Sequence, residues 1–80
     1  MNEAQLYQYI GRAVRTCRLR VDMTQDDLAN AVDLPRTAVV KIEAGTQRAH
    51  IYNLMLIANA LGFSLADFLP AQADIKRLNP

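Results

Sequence analysis

The segment from Met23 to Gly45 constrains the fold more than any other, because it carries two short amphipathic patterns separated by a turn signal. Thr24 opens the first. Its hydroxyl is placed to accept a free backbone N–H near Asp27, while the Asp26 and Asp27 carboxylates sit at the positive end of the helix dipole. Leu28, Ala29 and Val32 form the inward face. Asp33 is expected to end this helix, since a short polar side chain tolerates the left-handed conformation, though with more strain than glycine. Pro35 is expected to start the next one, its fixed φ and missing N–H suiting a first helical turn. Leu34 before it is pushed out of the α region, so the chain changes direction there.

At about 100° per residue, the second helix places Ala38, Val39 and Ile42 on one side and Arg36, Thr37, Val40, Lys41 and Ala44 on the other. The first side is for the core. The second offers a guanidinium, a hydroxyl, a methyl-rich side chain and an ammonium, a set able to reach base edges and phosphates in a major groove. Taken alone, such a face equally describes a solvated helix surface.

The surrounding pattern distinguishes the two readings, because it resembles the phage-repressor (Xre, Cro and lambda-repressor-like) DNA-binding family. The resemblance runs from Ile10 to Leu69. It rests on Ile10-Gly11, Val14-Arg15, Arg18, Thr24-Gln25, Leu28-Ala29, Val39, Ile42-Glu43, Gly45, Leu54, Ile57-Ala58, Ala60-Leu61-Gly62 and Leu65 to Leu69. It implies a helix-turn-helix in which Gln25 holds a phosphate and Arg36, Thr37 and Lys41, with Val40 on the same face, contact bases. It also implies an ion pair between Arg18 of the first helix and Glu43 near the end of the recognition helix. Three positions depart from the family pattern. Asp33 stands at the turn glycine, Pro35 at the usual Ser or Thr cap of the recognition helix, and Ala49 at the usual proline before the fourth helix.

Eighty residues suffice for one domain with a modest core, and an all-helical fold makes the best use of so short a chain. With the resemblance, the expected fold is all-α: a compact five-helix lambda-repressor-like domain over residues 1–70 and a short C-terminal tail, 71–80. Nine basic and eight acidic side chains leave a formal charge of +1, which argues against a nonspecific polyanion coat. A local basic face still suffices for a sequence-specific reader, because distant acids do not cancel close contacts under salt screening. The single cysteine, Cys17, cannot form an intrachain disulfide, and no charged leader with an apolar stretch precedes the domain, so a cytoplasmic protein is expected. The longest apolar run, Leu54 to Ala58, is far too short to span a bilayer, and no membrane partner is expected.

From about Glu3 to Val21, Leu6, Ile10, Val14 and Cys17 recur at helical spacing with Ala13 and Val21 beside them. Arg12, Arg15 and Arg20 fall on the back of this helix and read as solvated surface. Arg18 lies near the core stripe, where a charge needs a partner. Cys17 reads as a small buried apolar residue rather than a nucleophile. After Gly45, a typical helix end, Thr46-Gln47-Arg48-Ala49-His50 reads as a loop. The resemblance lays this loop along the DNA backbone, making Arg48, with Thr46 and Gln47, a phosphate contact. His50 is alone, supporting neither acid–base chemistry nor a metal site.

The fourth helix is expected from about Ile51 to Leu61, with Ile51, Leu54, Ile57, Ala58 and Leu61 on its core stripe and Gly62 as its stop. Tyr52, Met55 and Leu56 fall on other sides, so something must cover its back. Ser64 is expected to cap a short fifth helix containing Leu65, Phe68 and Leu69, which Pro70 ends.

These features favour a sequence-specific transcriptional regulator that binds double-stranded DNA at a pseudo-palindromic operator as a homodimer. Its size resembles that of stand-alone restriction–modification controller proteins and small phage repressors. The expected dimer interface draws on Tyr52, Met55, Leu56, Phe63, Phe68, Ile75 and Leu78, which exceed what a five-helix core can bury. The alternative is a monomer whose tail folds back over Leu56 and Tyr52. Two other functions compete. Antitoxins of the same fold often add a wrapping extension, and only about ten residues follow Pro70. An adaptor that had lost DNA binding need not keep Arg36, Thr37 and Lys41. No paired carboxylates, Cys/His cluster, glycine-rich phosphate loop or Ser–His–Asp set argues for an enzyme, a metal or a cofactor.

Overall fold

The computed structural model describes residues 1–76 and 78. Four α-helices come first: α1 (Glu3–Arg20), α2 (Gln25–Ala31), α3 (Arg36–Ala44) and α4 (Ile51–Leu61). A 3-10 turn (Leu65–Phe68) and a single-turn helix, α5 (Gln72–Ile75), follow. The expected fifth helix is thus the 3-10 turn, its start fixed by the Ser64 N–H donating to Asp67 Oδ2 at 2.8 Å.

Local chemistry sets the helix ends. At the start of α1, Gln5 N–H donates to Asn2 Oδ1 and Asn2 N–H to Gln5 Oε1, both at 2.9 Å. At α2, Thr24 Oγ1 accepts the Asp27 N–H at 3.0 Å and Asp27 Oδ2 accepts the Thr24 N–H at 2.9 Å. Each reciprocal box satisfies two otherwise orphaned donors. The four α1–α4 C-termini share one device, a left-handed residue followed by paired backward hydrogen bonds to the last turn. Gly45 and Gly62 supply it for α3 and α4, Asp22 and Asp33 for α1 and α2. Asp33, at φ 56°, therefore does the work of the family's turn glycine, and the Leu34 N–H completes the motif on Ala29 O at 2.9 Å.

Pro35 differs from expectation by one position. It is the cap of α3 rather than its first helical residue, with ψ 148° and no side-chain hydrogen bond. Its carbonyl instead accepts the Ala38 N–H at 3.0 Å, so a residue without a capping side chain still closes the first turn through its backbone.

The core is one cluster built from Ile10, Val14 and Cys17 of α1, Leu28 and Ala29 of α2, Val39 and Ile42 of α3, and Leu54, Ile57, Ala58 and Leu61 of α4. Packing of α1 against α3 is unusually close at Gly11. A Cβ there would overlap the Ile42 carbonyl oxygen and lie 2.6 Å from that of Glu43. The glycine thus lets the recognition-helix candidate lie directly on α1.

Two assignments need correction, Ile51 on the core stripe and Phe68 at the dimer interface. Ile51 is 65% exposed, because burial on α4 begins only at Leu54 and the first turn projects beyond the packed elements. Phe68 is fully buried, since the 3-10 turn folds against α1 and α4 and drives this ring into the centre. Phe68 is therefore removed from the expected dimer interface. Among the described residues, Tyr52 stays 70% exposed and Asp74 lines a groove with Gln5, Tyr9 and Arg12 of α1.

Candidate nucleic-acid interface

The outer face of α3 is a continuous exposed surface in which Arg36, Thr37, Val40 and Lys41 border one shallow depression. On its inner face Val39 and Ile42 are buried and Ala38 half-buried, so core packing fixes the rotation of the helix about its axis. The outward set follows from that rotation. It supplies charged and neutral donors together with a methyl surface, the mixture that distinguishes base edges.

The position of α3 is locked from behind by Arg18. Arg18 Nε donates to Glu43 Oε2 at 2.7 Å and Nη2 to Glu43 Oε1 at 2.9 Å, a two-point contact between planar groups. Arg18 Nη1 donates to the Met23 carbonyl at 2.8 Å, which ties in the turn between α1 and α2. The two side chains are only 8% and 4% exposed, and among the described residues no buried side-chain polar atom lacks a partner. The hydrogen bonds to Glu43 hold the Arg18 guanidinium above its ordinary pKa, against the opposing effect of burial, so it stays charged.

Gln25 belongs to the same network. Its Nε2 donates to Glu43 Oε1 at 3.2 Å, so the glutamine at the start of α2 is positioned relative to α3 by the ion pair itself. Gln25 also lines a surface notch with Arg15, Thr24, Asp26 and Arg36, where α1, α2 and α3 meet. The base-contact candidates and this phosphate-contact candidate are thus neighbours. The loop candidates Thr46, Gln47 and Arg48 are exposed at the other end of α3, which Gly45 terminates at φ 72° while crossing over Gln8. Thr46 Oγ1 lies 3.4 Å from the Lys41 carbonyl and its N–H donates to the same oxygen at 3.1 Å.

Three features escape sequence reasoning. The coupling of Gln25 to Glu43 is one. The others are exposed ion pairs, Arg36 Nε–Asp26 Oδ1 at 3.6 Å and Arg48 Nη2–Glu3 Oε1 at 2.7 Å. No local pattern reports these contacts across 10 and 45 positions, whereas a lone glycine within an amphipathic helix is itself a hint of close packing at Gly11.

Elsewhere, Ile51, Tyr52 and Met55 expose apolar surface on α4, Leu56 and Phe63 are half-buried against the core, Ile75 is half-buried and Leu78 exposed. Cys17 lies inside the core, where burial pushes its thiol pKa up and disfavours the thiolate. Among the described residues no cluster of His, Cys, Asp and Glu fits a metal ion, and no helix is long and apolar enough to cross a membrane.

The chain is similar to known proteins in the region just described. Residues 14–68 match the HTH_3 helix-turn-helix family model. The chain is 40% identical over 60 residues to the control protein C.BamHI of Bacillus amyloliquefaciens, covering 74% of each. Its fold superimposes on the restriction–modification controller protein C.Esp1396I with a TM-score of 0.71 at 32% identity, covering 78% of this chain and 80% of that one. It also superimposes on the controller protein C.AhdI of Aeromonas hydrophila with a TM-score of 0.76, at 24% identity, covering 79% and 96% of the two chains. The chain belongs to the HTH_3 helix-turn-helix family of DNA-binding regulators and is a homologue of the restriction–modification controller proteins.

Proposed function

We propose that this chain is a transcription regulator of a restriction–modification system that binds a pseudo-palindromic operator as a homodimer, with α3 in the major groove. The observation that carries this reading is the outward face of α3, held in place by the Arg18–Glu43 pair and flanked by Gln25. In this reading Arg36, Thr37, Val40 and Lys41 contact bases, while Gln25, Thr46, Gln47 and Arg48 hold phosphates and set the register. Residues 1–70 form the DNA-binding domain and 71–80 a tail that contributes to pairing. The restriction–modification assignment draws on C.BamHI and C.Esp1396I.

The homodimer has its own support. Ile51, Tyr52 and Met55 are 65%, 70% and 56% exposed on neighbouring positions of one helix, an apolar patch of the kind that marks an interaction surface. Leu56, Phe63, Ile75 and Leu78 extend the candidate surface, and twofold pairing would present two copies of α3 to successive major grooves. The protein then acts in the cytoplasm by binding, without catalysis.

Footprinting on the DNA upstream of the protein's own coding region tests the reading. The expected result is protection of two inverted half-sites centred about 34–36 Å apart, one helical turn. Uniform or absent protection would refute it. Sedimentation at micromolar concentration tests the pairing, and a species that stays monomeric on its DNA would rule the dimer out.

A further inference from the structure

The surface arginines are not treated alike. Arg12, Arg15 and Arg20 on α1 are exposed and, among the described residues, have no carboxylate partner. Among the described residues, the two exposed arginines that do have one are Arg36 and Arg48, the two assigned to DNA. Asp26 reaches Arg36 from the first turn of α2, and Glu3 reaches Arg48 from the first turn of α1. Both pairs are largely open to solvent, with side chains 59–76% exposed, so a phosphate or a base can compete for either arginine.

We propose that Asp26 and Glu3 are built-in competitors with DNA for Arg36 and Arg48: Glu3 lowers affinity for every duplex alike, and Asp26 lowers operator affinity most, because only a matching base edge draws Arg36 away from it. The inference rests on the DNA-binding reading above. Glu3 donates nothing to DNA and holds Arg48 by a short hydrogen bond, so every duplex must exchange that carboxylate for a phosphate, whatever its sequence. Asp26 acts differently. At 3.6 Å it makes a charge contact with Arg36 without a hydrogen bond, leaving the guanidinium free to move. On the operator, a two-point contact between Arg36 and a base edge outweighs a surface pair, because the former discriminates by roughly fivefold to a hundredfold and the latter is worth about fivefold at most. On a wrong sequence no such contact repays the exchange, and Arg36 remains with Asp26. The small net charge of +1 fits this arrangement, in which carboxylates mask two of the cations assigned to DNA in the free protein.

The test measures affinity for the footprinted operator and for a scrambled duplex of equal length across a salt series, using the full chain. Glu3→Gln is expected to raise both affinities by the same factor, up to about fivefold at low salt. Asp26→Asn is expected to raise affinity for the operator, where Arg36 must leave the carboxylate, more than for the scrambled duplex, raising their ratio. Both gains fade as salt screens the exposed charges. In an Arg36→Ala background the Asp26→Asn effect on the ratio disappears, which separates competition for Arg36 from a general loss of negative charge. Melting temperatures identify any variant whose fold has changed. A parent that discriminates while both variants match it at low salt overturns this inference alone. A parent that binds neither duplex overturns the DNA-binding reading and this inference with it.

Discussion

Glu43→Ala removes both acceptors of Arg18 Nε and Nη2 and leaves only the Met23 carbonyl on Nη1. The pair is buried, at 8% and 4% exposure, so water does not replace the lost carboxylate fully and the guanidinium is stranded. Truncating one partner of such a pair costs about 3–5 kcal/mol, a large share of the roughly 5–15 kcal/mol that holds a domain together. For a domain of this size each kcal/mol moves the melting temperature by about 4–8 °C, which gives a drop on the order of 12–40 °C. Most of that penalty belongs to the orphaned charge rather than to the pair. Replacing both members by apolar residues, Arg18→Met with Glu43→Leu, is therefore expected to recover most of the loss. Thermal unfolding followed by circular dichroism measures both variants. An unchanged melting temperature for Glu43→Ala would refute the reasoning, and a double variant no more stable than the single one would refute the division between pair and orphaned charge.

Other perturbations test separate parts of the account. Gly11→Ala drives a methyl into the Ile42 and Glu43 carbonyls, and the expected cost of about 1–3 kcal/mol from overpacking exceeds the roughly 1 kcal/mol gained in helix propensity; denaturant titration shows the sign. Asp33→Gly relieves a left-handed non-glycine residue and is expected to stabilise by up to about 1 kcal/mol after glycine's own entropy cost, a gain that a lower urea midpoint would contradict. The Thr24 backbone and hydroxyl hydrogen bonds hold the Asp27 carboxyl below its ordinary value of 3.8. Its contribution is thus full above that value and is lost as pH falls through the lower folded value, so Asp27→Asn should flatten the acid limb of the stability curve below about pH 4. Native Cys17 should resist alkylation at neutral pH and react once the chain is unfolded.

What the sequence made legible is what local chemistry decides. The Thr24 cap of α2, the left-handed ends at Asp33, Gly45 and Gly62, and the division of α3 into a Val39–Ile42 face and an Arg36–Lys41 face follow from side chains a few positions apart. Ile51 and Phe68 depart from the pattern because periodicity cannot say where a neighbouring element stops. The stripe on α4 runs one turn past its cover, and the 3-10 turn tucks in a ring that looked surplus. In the candidate site, the outward residues Arg36, Thr37, Val40 and Lys41 share one short helix and are visible as a pattern. The carboxylates facing Arg36 and Arg48 come from other elements, and only the packing of α1 and α2 around α3 brings them there.

Comparing Arg36→Ala with the parent on the operator and a scrambled duplex tests whether the outward face of α3 reads bases. Loss of a base contact should cost about 1–3 kcal/mol on the operator, so the ratio of operator to scrambled affinity should fall and the preference at one position should relax. Gln25→Ala provides the contrast, weakening both duplexes alike. If Arg36→Ala kept the parent's ratio, Arg36 would not be a base reader and the account of α3 would be contradicted.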